Sequence, residues 1–226
     1  MCQILSEYFQ SVFTVEDTSN IPVVVSKYTG DDPESKLCNF EITIKLVTKA
    51  LKELKVNKAA GVDGLHSTFL INIKDEFVVP LSIMFNRSLN YTEIPIDWKT
   101  ANVRAIFKKG NRKDPANYRP VSLTSHISKI FERIVKEQIN QHLEKFKLIY
   151  ESQHGFVKGK SCLTNLLEFN DYVSKLVDEG SAIDIIYLDF QKAFDKVPHQ
   201  RLARKLEAYG IEGNVLNWIK LIVVEG

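Results

Sequence analysis

Two aspartates in the last fifth of the chain, Asp189 and Asp195, stand where acidic chemistry could occur. Asp189 closes an apolar run that includes Ile183, Ile185, Ile186, Tyr187 and Leu188. A carboxylate there is costly unless it lies at an edge or is paired. At a strand end it would suit Mg²⁺, which takes hard oxygen ligands. With a second carboxylate beyond the next turn, two-metal phosphoryl transfer becomes conceivable. The plainer account is that Asp189 ends the strand and Asp195 caps a helix near Pro198; spacing alone favours that account.

A second cluster is basic. Lys99, Arg104, Lys108, Lys109, Arg112, Lys113 and Arg119 fall within residues 98–120 against Asp114 alone. Such a stripe suits a polyanion, through charge neutralisation and counterion release. Charge runs ordinarily face solvent, and composition by itself favours that reading. The first 41 residues are acidic by contrast, and net charge over all 226 is only +2. Cys2, Cys38 and Cys162 are too far apart for a metal pair or a disulfide framework, which points to a reducing, intracellular setting. No run is long and apolar enough to cross a membrane, and no signal peptide opens the chain. The segment GKSC at 159–162 does not complete a phosphate-binding glycine loop, which leaves little support for an unrelated Mg²⁺-dependent phosphotransferase.

The elements that must position these groups follow from periodicity. Residues 1–38 read as a loosely held leader with a turn at 28–33. Phe40, Ile44, Val47, Leu51 and Leu54 predict a helix. The loop 57–64 carries Gly61 and Gly64, suited to backbone turns, with Asp63 bonding its own loop. Residues 67–90 predict a helix broken or kinked at Pro80. Strands are predicted at 101–107 and 119–124, joined into a basic-tipped hairpin. A long helix follows at 125–146, with the stripe Ile127, Ile130, Phe131, Ile134, Val135 and Ile139. Another is expected at 161–178, N-capped by Ser161 and ended by Gly180. Residues 182–190 read as a buried central strand. Helices at 199–209 and 214–223 complete a mixed α and β order.

Six segments carry a resemblance in collinear order: EYFQSVFTVED (7–17), NKAAGVDG (57–64), DWKTANVRAIFKKG (97–110), NYRPVSL (117–123), QHGFVKGKSC (153–162) and YLDFQKAFDKVPH (187–199). Together they resemble the reverse transcriptases of non-LTR (LINE-type) retrotransposons, Jockey-like and related elements included. The first resembles the family's linker between endonuclease and polymerase, and the second its N-terminal extension. The resemblance implies an α+β fold, the fingers and partial palm of a right-hand polymerase. It would be helix-rich, with the basic β-hairpin in the fingers and one core palm strand. The implied division is a leader at 1–38, N-terminal extension and fingers at 39–180, and the beginning of the palm at 181–226.

The resemblance also assigns residues. Lys108 and Arg119 would meet the triphosphate of the incoming nucleotide, Arg as a fork and Lys as a point charge. Lys109, Arg112 and Lys113 would face template phosphates or solvent. Asp189 matches the catalytic metal ligand, and the carbonyl of Phe190 would add a backbone oxygen. Phe194 falls where the family places the ring that disfavours a ribose 2′-hydroxyl; it could equally be a core phenylalanine. Asp195 would orient the turn. Gln153, Gly155, Phe156 and Lys158 would lie on the template side or hold the fold. The implied cofactor is Mg²⁺, and the implied partners are an RNA template, a DNA primer and deoxynucleotides, with no membrane.

Two departures stand out: Val157 replaces a usual Arg, and Ala105 lies where Pro is usual. A larger one is that the chain reads LIVVEG after Lys220 and ends before the family's aromatic-Ala-Asp-Asp turn. The pair Asp31-Asp32 sits far upstream, in the leader. The expectation is a metal cage short of carboxylates, weak Mg²⁺ binding and no polymerisation by this chain alone. The alternative expectation is a nucleic-acid-binding remnant without catalysis.

Overall fold

The structure is a computed structural model that describes residues 2–13, 16–28, 35–190 and 192–225. The turn expected at 28–33 and the pair Asp31-Asp32 lie largely or wholly outside the described residues. Helices dominate: α1 (Cys2–Ser11), α2 (Ile44–Lys52), α3 (Ser67–Asn72), α4 (Lys74–Tyr91), α5 (Ile96–Lys99), α6 (His126–Lys145), α7 (Cys162–Asp178), α8 (His199–Ala208) and α9 (Gly213–Glu225). Among the described residues the one sheet is an antiparallel pair, β1 (Asn102–Phe107) and β2 (Tyr118–Leu123).

Capping sets the helix starts. Thr43 accepts from the Leu46 amide, so α2 begins later than its apolar period suggested and leaves Phe40 outside. Ser125 accepts from Ile127 and Ser128 and opens α6 at the predicted place. Ser161 and Thr164 form a reciprocal capping box at α7. That helix ends as the sequence requires: Gly180, at φ +75°, donates to the Val177 carbonyl and Ser181 to that of Leu176.

The core is helical. Val47 and Leu51 of α2, Leu81, Phe85 and Leu89 of α4, and Ile130, Phe131 and Ile134 of α6 are buried together. Val215, Leu216 and Trp218 of α9 join the same cluster. Its centre is aromatic: Phe131 stacks on Phe85 at 4.8 Å between ring centroids, and Trp98 and Trp218 pack on Phe131 at 5.7 and 4.5 Å.

Three expectations are corrected, and a fourth is extended. The 67–91 segment breaks at Ile73 (φ −101°, ψ 13°) and not at Pro80, which lies inside α4. Pro80 and Glu76 both face solvent, so water can take the carbonyl that proline leaves unbonded.

Residues 182–190 form no strand. Ile186, Tyr187, Leu188 and Phe190 are more than four-fifths exposed. The apolar pattern of this segment is that of a strand buried on both faces, but a strand exists only through a neighbour's amides and carbonyls. Among the described residues no strand pairs with it. The core palm strand expected here is therefore absent from the described sheet.

The leader is tied down where it was expected to be loose. Residues 2–11 are helical. Leu37 donates to the Gly210 carbonyl and accepts from Glu212, and Cys38 accepts from Val215. Lys36 meets Glu212 at 2.8 Å, and that hydrogen bond raises the lysine's pKa. Tyr28 stacks on His142 at 5.7 Å and packs edge-on against Phe146.

Gly61 serves the expected turn, its carbonyl accepting from the Gly64 amide at 3.3 Å, and a close approach as well. A Cβ there would lie 2.5 Å from the Ser125 amide nitrogen, so only glycine lets loop 57–64 press on the β2–α6 junction. Gly64 does occupy the left-handed region, at φ +68°, and Asp63 accepts from Leu65 as expected.

Candidate nucleotide and nucleic-acid site

The hairpin register sorts its side chains. Ile106 pairs with Arg119, Arg104 with Val121, and the Lys108 amide donates to Asn117 at 2.8 Å. Side chains alternate across a strand, so Arg104, Lys108 and Arg119 share one face. All three are exposed. The opposite face, with Val103, Ala105, Tyr118, Pro120 and Ser122, lines a cavity of about 580 Å³ closed by α1. The apolar side borders this cavity, with Val103 and Ala105 still exposed, and the basic side gathers the positive charge.

The tip is ordered by its own chain. Gly110 sits at φ +89°, with the Asn117 side chain pressed against it. Asn117 donates to the Asn111 carbonyl at 3.0 Å, and Tyr118 donates its hydroxyl to the Arg112 carbonyl at 2.9 Å. The Arg112 guanidinium lies 5.0 Å from the Phe107 ring. Lys109 and Lys113 are exposed at this tip.

The segment around 153–158 is held on α7 by His154. Its Nδ1 meets Thr164 Oγ1 at 2.9 Å and its Nε2 meets Glu168 at 2.7 Å. Sequence reasoning passed over this histidine; the capping threonine gave no local hint of a second partner. Phe156 takes a positive φ of 60° and meets Phe194 edge-on, 6.2 Å between centroids. The structure therefore brings together a ring of the 153–162 motif and one of the 187–199 motif. Phe194 is 78% exposed. Gln153 donates to the Gly155 carbonyl at 3.3 Å, and a Cβ at Gly155 would meet nothing, so neighbouring atoms do not require glycine there. Lys158 lines a shallow cleft against Glu137 and Glu144 of α6.

Asp189 is exposed. Among the described residues no three acidic, histidine or cysteine side chains converge on one point. The donor set therefore does not fit a preformed two-metal cage. Asp195 does not cap α8; it lines the cavities beside α1, near Phe13 and Lys192. The amides at the start of α8 go instead to Glu16, whose carboxylate accepts from Gln200 at 2.8 Å and Arg201 at 3.1 Å. No local pattern marks a cap supplied from so far upstream.

A helix-rich chain with a small basic hairpin and this order of motifs defines a class. The description "Reverse transcriptase (RNA-dependent DNA polymerase)" matches residues 106–225, and the chain belongs to that family. Proteins of transposons and mobile elements are among the relatives it resembles. It is 27% identical over 74% of its length to the "Probable RNA-directed DNA polymerase from transposon BS" of Drosophila melanogaster. It is 30% identical over 67% to the corresponding protein of transposon X-element, and 28% over 80% to the RNA-directed DNA polymerase from mobile element jockey, both of the same fly. The chain spans only 18, 17 and 20% of these three relatives.

Proposed function

We propose that this chain contributes the nucleotide- and template-gripping part of an RNA-directed DNA polymerase, acting on an RNA template, a DNA primer and deoxynucleotides. The observation that carries this reading is the hairpin register, which gathers Arg104, Lys108 and Arg119 on one exposed face. Three exposed cations on one face of a short two-stranded ribbon suit a polyanion, through charge neutralisation and counterion release. Lys108 and Arg119 take the triphosphate; Lys109, Arg112 and Lys113 at the tip take template phosphates.

In this reading the hairpin belongs to the fingers, and residues 181–226 begin the palm. Asp189 and the Phe190 carbonyl would offer hard oxygen donors of the kind Mg²⁺ takes, too few by themselves for a complete site. Phe194, held edge-on by Phe156, lies beneath the sugar and disfavours a 2′-hydroxyl. Gln153, Gly155 and Lys158 face the template.

The test is binding of an RNA template–DNA primer duplex across a salt series, followed by primer extension. A linear fall of log affinity with log salt is expected. Affinity without a salt slope would refute the electrostatic grip. Binding without extension would leave a nucleic-acid-binding role and remove catalysis by this chain.

A further inference from the structure

We propose that residues 2–13 and 16–17 of the leader act as a clamp that sets the conformation of the turn following Asp189, with Glu16 and Tyr8 as its positioning residues. What the turn does rests on the polymerase reading above; how it is held does not.

The turn is gripped at both ends by the same distant segment. At its near end Lys192 donates to the Tyr8 hydroxyl at 2.9 Å, and its ammonium lies 4.4 Å from the centre of that ring. At its far end Glu16 receives the Gln200 and Arg201 amides of α8. The Arg201 guanidinium adds a contact at 3.8 Å, and the Glu16 side chain is only 11% exposed. Between these grips the turn carries Phe194, which is exposed, and Asp195, which faces α1.

The helix itself cannot supply this cap. Position 198 is proline, and no side-chain cap bond forms there. The first amides of a helix need an acceptor and favour a negative charge. Glu16 provides both, two amides to one carboxylate, and so fixes where α8 begins. Since α8 begins where the turn ends, the same contact fixes the turn. Lys192 stands at φ 52°, a conformation that non-glycine residues seldom keep without outside support. Its contact with Tyr8 supplies that support. The grip lies apart from the aromatic core at Phe85, Phe131 and Trp218, so it can be loosened without unfolding the protein.

The experiment is amide hydrogen exchange on the full chain carrying Glu16→Ala, Glu16→Gln or Tyr8→Phe. A Mg²⁺–dATP against Mg²⁺–ATP binding comparison accompanies it. In Glu16→Ala, exchange at Gln200 and Arg201 should rise by about five-fold, the factor an N-cap contributes. The turn amides of Lys196 and Val197, bonded to Lys192 and Phe194, should rise with them. Glu16→Gln, which keeps an acceptor oxygen, should restore part of the protection, and Tyr8→Phe should loosen the turn from its other end. The preference for dATP should shrink in step with turn exchange, while the thermal midpoint falls by no more than about 2–4 °C. Faster exchange confined to Gln200 and Arg201, with the turn unchanged, would overturn the clamp. If the parent chain shows no preference for dATP, the polymerase reading of Phe194 fails, and the exchange result still decides the clamp.

Discussion

The indole N–H of Trp218 donates to Ser88 Oγ at 3.2 Å, and the Ser88 hydroxyl in turn donates to the Glu93 carbonyl at 2.6 Å. This relay joins α9 to the C-terminal turn of α4 across 130 residues of sequence. It places the last helix in the same core as α2 and α6. The stretch 181–226 is therefore divided in its packing: α9 is buried, and 182–190 is exposed.

Trp218→Phe keeps most of the ring and deletes the donor. The expected loss is ~1 kcal/mol, the net worth of a buried hydrogen bond, plus a smaller packing loss. Denaturant unfolding should show a lower midpoint at unchanged slope.

Phe131→Ala removes the ring on which Phe85, Trp98 and Trp218 converge, and should cost about 3–5 kcal/mol. Leu166→Ser on α7, at a residue 55% exposed, should change stability by only about 0.5 kcal/mol either way. Paired unfolding curves measure the contrast.

Gly61→Ala drives a Cβ into backbone that cannot yield cheaply, and should destabilise by about 2–3 kcal/mol. Gly64→Ala meets open space and carries only the left-handed backbone penalty, about 1 kcal/mol. A reversed order in chemical denaturation would show that the loop 57–64 does not press on the β2–α6 junction.

Lys108→Glu and Arg119→Glu should each weaken duplex binding and lower the salt slope by about 1. Lys52→Glu, on an exposed face of α2, should leave both nearly unchanged. Equal effects at all three positions would mean that net charge, not the hairpin face, governs binding.

Local signals in the sequence were reliable where the physics is local. Ser125, Ser161 and Gly180 mark helix ends because a cap is decided within a few residues. The hairpin was legible from alternation, and its register followed from pairing across one loop. The break at Ile73 was not, because Pro80 carries the stronger breaker signal and only exposure makes it harmless.

The candidate site was legible as a set of residue types and not as a place. Motif order singled out Lys108, Arg119, Phe156 and Phe194. The edge contact between the two phenylalanines, the His154 strut and the Glu16 cap each join segments far apart in the chain.

By itself the sequence determined the family, the helical periods, the caps and the chemistry available, since all of these are written in residue type and spacing. Tertiary structure alone decided which face of the hairpin borders α1, what caps α8, and whether 182–190 is a strand. Each of those depends on a partner brought from elsewhere in the chain, and a segment's own pattern holds no record of whether that partner arrives.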